Sequence, residues 1–192
     1  MVAISGVIVM VGWVFDIRTI KSISPDWISM KFDTAIAFVA SGITLYFIAR
    51  AKEGAFDQAQ VALSVTSLII MLIMGILFFS ILFGVHTGAE NLFIKETQVA
   101  AKTVIPGRPS VPTMVNFILI ALSGISVILN LKKLQLKLKI IGLAVGIIGA
   151  VAVIGYTINV PSLYYFIEGV NSAMAMHTAV LFVLIGIGLL CL

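Results

Sequence analysis

The sequence predicts an all-α membrane protein with six transmembrane helices arranged as three repeated helical hairpins. Composition is the first reason: 61% of the 192 residues are hydrophobic and 10% charged, with a mean hydropathy of +1.20. Soluble domains carry roughly 25% charged residues. The second reason is the set of uncharged runs, 1–15, 34–49, 58–89, 109–131, 140–167 and 169–192. All but the first two exceed the ~20 apolar residues that cross hydrocarbon. The third is a pattern repeated at the starts of alternate helices. The longest polar stretch, 90–108, is too short for a soluble domain, so 1–192 reads as a single transmembrane domain.

The predicted helices run over about 1–16, 31–50, 60–85, 112–130, 139–160 and 174–192. The first is the shortest in apolar length, roughly 22 Å against a ~30 Å core. No basic residue precedes it and Trp13-Val14-Phe15-Asp16 stands where a cleavage site would fall, so it reads as a span rather than a signal peptide. Two short connections are basic: Arg50-Ala51-Lys52-Glu53, and 131–139 with Lys132, Lys133, Lys137 and Lys139. Together they hold six of the twelve Lys and Arg residues. Cytoplasmic loops carry such an excess, so 50–60 and 130–139 are placed inside and both termini with them. Segments 17–30, 86–111 and 161–173 then face outward, across the cell (inner) membrane. Leu131, Leu134, Leu136 and Leu138 among the lysines read as a loop with one side in the anionic leaflet, secondary to its role as a topology signal.

The repeat joins Thr34-Ala35-Ile36-Ala37-Phe38, Thr113-Met114-Val115-Asn116-Phe117 and Thr178-Ala179-Val180-Leu181-Phe182. Four residues beyond each Phe stands a small residue: Gly42, Ala121 and Gly186. Positions i, i+4 and i+8 fall near one helical stripe, and small residues let helices approach closely where lipid offers no hydrophobic drive for association. The odd helices carry a looser echo in Gly12-Trp13, Gly84-Val85 and Gly155-Tyr156. The hairpins are thus 1–50, 60–130 and 139–192, with their stripes packed around a common axis near the outer leaflet.

Among the outward segments, 17–28 spaces its apolar residues as an interfacial amphipathic helix interrupted at Pro25, with Trp27 at headgroup level. Residues 163–168 form a second aromatic anchor. The sharper segment is 104–113, where Pro106, Gly107, Pro109 and Pro112 fix an irregular turn and Pro112 suits the first turn of a helix. Arg108 beside that helix start is placed to hold an anionic group with the free backbone amides, or to pair with Asp33, Glu90 or Glu168. His86 and His177 fall at one outer depth, but nothing else in the sequence supports haem or metal, and no cofactor is assigned. Asn116 is expected to bond a neighbouring helix. The lone Cys191 excludes an intramolecular disulfide and a cysteine-built metal site.

No nucleophile elbow, phosphate loop, HExxH or calcium-loop motif occurs, and no charge falls mid-span. Both absences argue against an enzyme and against ion-coupled transport. The net charge of +4 marks loops rather than nucleic-acid binding.

The segment from Pro106-Gly107-Arg108-Pro109-Ser110 through Thr113 to Asn116-Phe117 resembles the PGR-x-S-P-x-T-A-x-N-F signature of a multi-span sensory domain. That domain stands at the N-terminus of many bacterial and archaeal sensor histidine kinases and GGDEF-type cyclases. Here Val111 falls between the Ser and the Pro, and Met114 replaces the usual Ala. Ser29 to Phe38, Gly155-Tyr156 and Ala175 to Phe182 are similar to other marks of the family, so the likeness covers nearly the whole chain. It implies a sensory module whose last helix leads to a cytoplasmic output domain. This chain reaches Cys191-Leu192 without one, so the expected partners are an output domain or a partner membrane subunit, besides the lipid bilayer. Pairing as a homodimer stays open.

The functional expectation is a signal-input module perceiving a small ligand or membrane property at the outer half of the bundle. The alternative is an accessory subunit of a larger membrane complex. The candidate ligand-binding residues are Arg108, His177, Thr178, Thr113, Asn116 and Thr34.

Overall fold

A computed structural model describes residues 1–22, 27–85, 87–89, 92–94, 106–165 and 172–192. Within them the chain is all-helical: α1 Val2–Val14, α2 Arg18–Lys21, α3 Phe32–Lys52, α4 Phe56–Leu82, α5 Val111–Ile128, α6 Leu134–Thr157 and α7 Met176–Cys191, with a 3-10 turn at Pro161–Leu163. Four helices, α3 to α6, are long and apolar enough to cross a membrane. The helices at either end, α1 and α7, have 13 and 16 residues and fall short of that length.

Neighbours in sequence pack together: α1 on α3, α4 against both α3 and α5, and α6 along α7. The long helices divide by burial. α3 and α5 are the more enclosed, while α4 and α6 turn apolar stripes outward. On α4 that stripe runs through Val61, Val65, Leu68, Leu72, Ile76 and Phe79, spaced three or four apart as one helical face must be. Such a face is stable only against lipid or another apolar surface.

At the centre, Phe38 of α3, Phe117 of α5 and Phe182 of α7 are fully buried and touch one another. Their ring centroids lie 4.8, 5.0 and 4.9 Å apart, tilted or edge-on as the ring quadrupole favours. The small residues of the same stripes do not share this axis. Gly42 packs on the backbone of Ala3 in α1, and Gly186 on Gly142 and Gly146 in α6. At 3.6 residues per turn, eight residues rotate by about 80° beyond whole turns. A stripe that starts on the axis at Thr has therefore swung toward its own hairpin partner by the small residue.

Two further expectations are corrected. The lysine-rich stretch is not a loop: α6 begins at Leu134, after a tight turn with Asn130 and Lys133 in left-handed conformation, and Leu138 is buried. Leu, Lys and Gln are good helix formers and no breaker separates them. The amphipathic helix expected over 17–28 is reduced to Arg18–Lys21, with Ser22 extended, and Pro25 lies outside the described residues. Lys21 donates to Asp16, and that hydrogen bond, then the ammonium charge, holds the Asp16 carboxyl below its usual range.

Candidate functional site

The N-termini of α3, α5 and α7 meet at one small polar cavity with room for about one water molecule. Its wall includes the residues preceding each helix, Lys31, Ser110 and Ala175, and the third helical residue of each, Thr34, Thr113 and Thr178. Arg108, Ser29 and Met30 complete that side. Four of the six candidate residues are therefore brought together: Arg108, Thr34, Thr113 and Thr178. Asn116 and His177 do not line the cavity.

The three threonines share a position but not a hydrogen-bonding state. In α5 the cap is closed: the Thr113 amide donates to Ser110 Oγ at 3.3 Å and the two hydroxyls are 2.7 Å apart. α3 and α7 start at Lys31 and Ala175 without a side-chain cap. Thr34 and Thr178 are only 3% and 2% exposed, and neither hydroxyl has a hydrogen-bond partner among the described residues. Several deeper hydroxyls bond their own helix, although Ser67 Oγ in α4 is buried without a partner among the described residues. Ser41 and Thr44 donate to the carbonyls of Ala37 and Ala40, and Thr44 also meets Thr66 at 2.8 Å. A threonine in the first turn has no helical carbonyl four residues back, so it must look outside its own helix.

Charge gathers here too. Lys31, Asp33 and Arg108 are the buried charged residues among those described. One Arg108 Nη donates to Ser80 Oγ at 3.0 Å, and Ser80 in turn donates to the Val85 carbonyl. The pairing expected with Glu90 or Glu168 falls on residues outside the described set.

The loops feeding α3 and α7 are built alike, in detail that sequence reading missed. The Trp13 indole N–H donates to the Met30 carbonyl and the Tyr156 hydroxyl to the Met174 carbonyl, both at 2.8 Å. The amides of Met30 and Met174 donate to Lys21 and Tyr164, both at 2.9 Å. Each methionine immediately precedes a helix cap, so each clamp fixes where a helix begins. The signal available in sequence was an aromatic directly after Gly12 and Gly155. The supposed third member, Gly84-Val85, is out of register. Gly84 has φ +63 and closes the end of α4, where the Val85 amide returns to the Ser80 carbonyl. Ile17 returns to Gly12 and Val160 to Gly155 in the same way. These helix-end bonds make Ser80 the counterpart of Gly12 and Gly155.

Asn116 departs from expectation. It is fully buried, and both its amide atoms lack a partner among the described residues rather than bonding a neighbouring helix. Both ring nitrogens of His177 are likewise buried without a partner, and His86 lies outside the described residues. Among the described residues no group of three His, Cys, Asp or Glu is gathered.

No family model, no curated protein and no solved structure matches this chain.

Proposed function

We propose that this chain is a membrane-embedded signal-input module, with its input site at the cavity shared by α3, α5 and α7. The observation that supports this most is the gathering of one equivalent threonine from each of three sequence-distant helices at one polar cavity, two of them with hydroxyls that have no partner among the described residues. The likeness of the PGR segment to sensory domains of kinases and cyclases points the same way.

We read all six helices other than α2 as spans. α1 and α7 extend roughly 20 and 24 Å, a mismatch that local bilayer thinning accommodates. Arg50 and Lys52 close α3, and Lys132, Lys133, Lys137 and Lys139 surround the start of α6. The positive-inside rule puts these ends in the cytoplasm, with both termini. Thr34 stands 16 residues before Arg50, roughly 24 Å along the helix. The cavity therefore lies near the outer boundary of the cell membrane.

Signalling follows from the stacking of site on core. Each threonine stands one helical turn from its phenylalanine, so an occupant that repositions Thr34 or Thr178 presses on the Phe38–Phe117–Phe182 contact. Packed cores respond by small shifts between discrete arrangements. α7 would carry that shift to Cys191, toward an output domain or partner subunit. An accessory-subunit role would use the outward faces of α1, α4 and α6 and leave the cavity without a task.

A nitroxide on Cys191, paired with one on Glu53→Cys, reads this movement as an interspin distance. Thr178→Val, which keeps the side-chain shape, and Arg108→Gln should both shift the distance distribution. Ser64→Ala on the exposed face of α4 should not. Distributions unchanged by Thr178→Val would reject the coupling.

A further inference from the structure

We infer that the start of α6, with the exposed apolar stripe running on from it, seats an anionic phospholipid. The headgroup lies on the lysines and an acyl chain lies along the helix. This surface shares no residue with the cavity. It requires only that α6 lie in a bilayer, for which the helix is long and apolar enough.

The first feature is charge without a partner. Lys132, Lys133, Lys137 and Lys139 are all exposed, and none has a hydrogen bond, ion pair or ring contact with a described residue. At the same end of the bundle Glu53 is held by Arg50 at 3.2 Å, and Asp57 opens α4. Nor does α6 itself call for these lysines. Its first turn has no acidic residue, and positive charge at a helix start opposes the macrodipole. Lys133 also holds the N-cap at φ +57, a left-handed conformation that glycine or asparagine adopts at less cost. The counterpart of this charge lies outside the described residues.

The second feature is continuity of charge with an apolar face. Leu136, Lys139, Leu143 and Ile147 follow one another at three or four residues, with Ile140 beside them, and the four apolar members are each more than half exposed. From Leu136 to Ile147 the helix rises roughly 16 Å, about half of a ~30 Å hydrocarbon core and so the depth of one leaflet. A cation cluster leading directly into such a face matches a molecule with an anionic head and a hydrocarbon tail. A soluble phosphate or an acidic protein segment would use the lysines and leave the stripe bare.

The outward stripe of α4 supplies the contrast. It begins at Asp57, Gln58 and Gln60, and α4 contains no basic residue. It offers lipid a similar tail surface without a cationic head. Lysines near a bilayer surface each favour anionic lipid, and four together should favour it by tenfold or more.

The test is native mass spectrometry of the whole chain released from detergent holding equimolar phosphatidylglycerol and phosphatidylcholine with matched acyl chains. The chain should retain phosphatidylglycerol over phosphatidylcholine by about tenfold or more. Replacing Lys132, Lys133, Lys137 and Lys139 together by Gln should bring that ratio near one, whereas Arg at the same four positions should preserve it. Asp57→Asn should leave it unchanged. Leu136→Ser with Ile140→Ser should lower phosphatidylglycerol retention with every lysine in place. Equal retention of the two lipids by the native chain, or a preference that survives the four Gln substitutions, would overturn the assignment. Displacement of the lipid by equimolar glycerol phosphate would make the lysines a phosphate site instead, and displacement by polyglutamate would assign them to an acidic protein partner. The comparison of the two lipids on the native chain decides the matter even where a variant does not fold. A detergent measurement is blind to sidedness and to the cavity, so its failure leaves the topology and the input site standing.

Discussion

Asn116 sits with both amide atoms buried and unpartnered, one residue from the aromatic contact that joins three helices. Its repeat counterparts, Ala37 and Leu181, are apolar and buried. An amide without bonds in hydrocarbon costs about 1–3 kcal/mol, so Asn116→Leu should stabilise the chain by about 1 kcal/mol or more, read as a higher unfolding midpoint. A lower midpoint would mean that the amide has a partner in the folded protein. Arg108 was picked out in the sequence by its place in the proline-rich turn, and the three threonines by the repeat at the helix starts. Lys31, Ser80, Trp13 and Tyr156 were not. Their roles depend on where loops return, and no local pattern encodes that a Trp and a Tyr will grip the carbonyl of a methionine 17 or 18 residues later.

Helix pairs are held by two devices, and they respond differently to substitution. The α6–α7 contact is a glycine seam: a Cβ on Gly186 would come within 2.6 Å of Gly146 Cα and 2.7 Å of the Gly142 carbonyl. Backbone cannot retreat as a side chain does, so Gly186→Ala should force the helices apart at a cost of about 2 kcal/mol. Gly75 on α4 has nothing within 4 Å of such a Cβ, so Gly75→Ala should instead stabilise by roughly 0.5–1 kcal/mol through helix propensity. Comparing the two midpoints checks the packing directly. The phenylalanine contact is the other device. In a membrane the transfer part of its burial largely vanishes, since lipid is as apolar as the core. Phe117→Ala should then cost mainly its cavity, about 2 kcal/mol. The helices themselves were readable from uncharged runs, but the lysine-rich start of α6 was misread as loop because charge was taken as a break. Helix propensity there outweighs it.

Across the whole molecule, the starts of α3, α5 and α7 converge at one end, which the proposed topology makes the outer one, with the basic turns inside. That polarity predicts how single cysteines react with a membrane-impermeant thiol reagent in a Cys191→Ser background. Thr87→Cys should be labelled from outside intact cells, and Lys132→Cys only after the membrane is opened; the reverse pattern would invert the topology. Convergence of Thr34, Thr113 and Thr178 was legible from period and spacing. The outward swing of Gly42 and Gly186 to seal their own hairpins was not, because an i, i+8 pattern hides the rotation that accumulates over two turns. The most direct test of convergence is cross-linking of Thr34→Cys with Thr178→Cys, in the Cys191→Ser background, by a bifunctional thiol reagent of short reach. Rapid cross-linking there, with none between Ile36→Cys and Val180→Cys one half-turn further on, is the expected result. Equal cross-linking in both pairs, or none in the first, would contradict a shared site at the heads of α3 and α7.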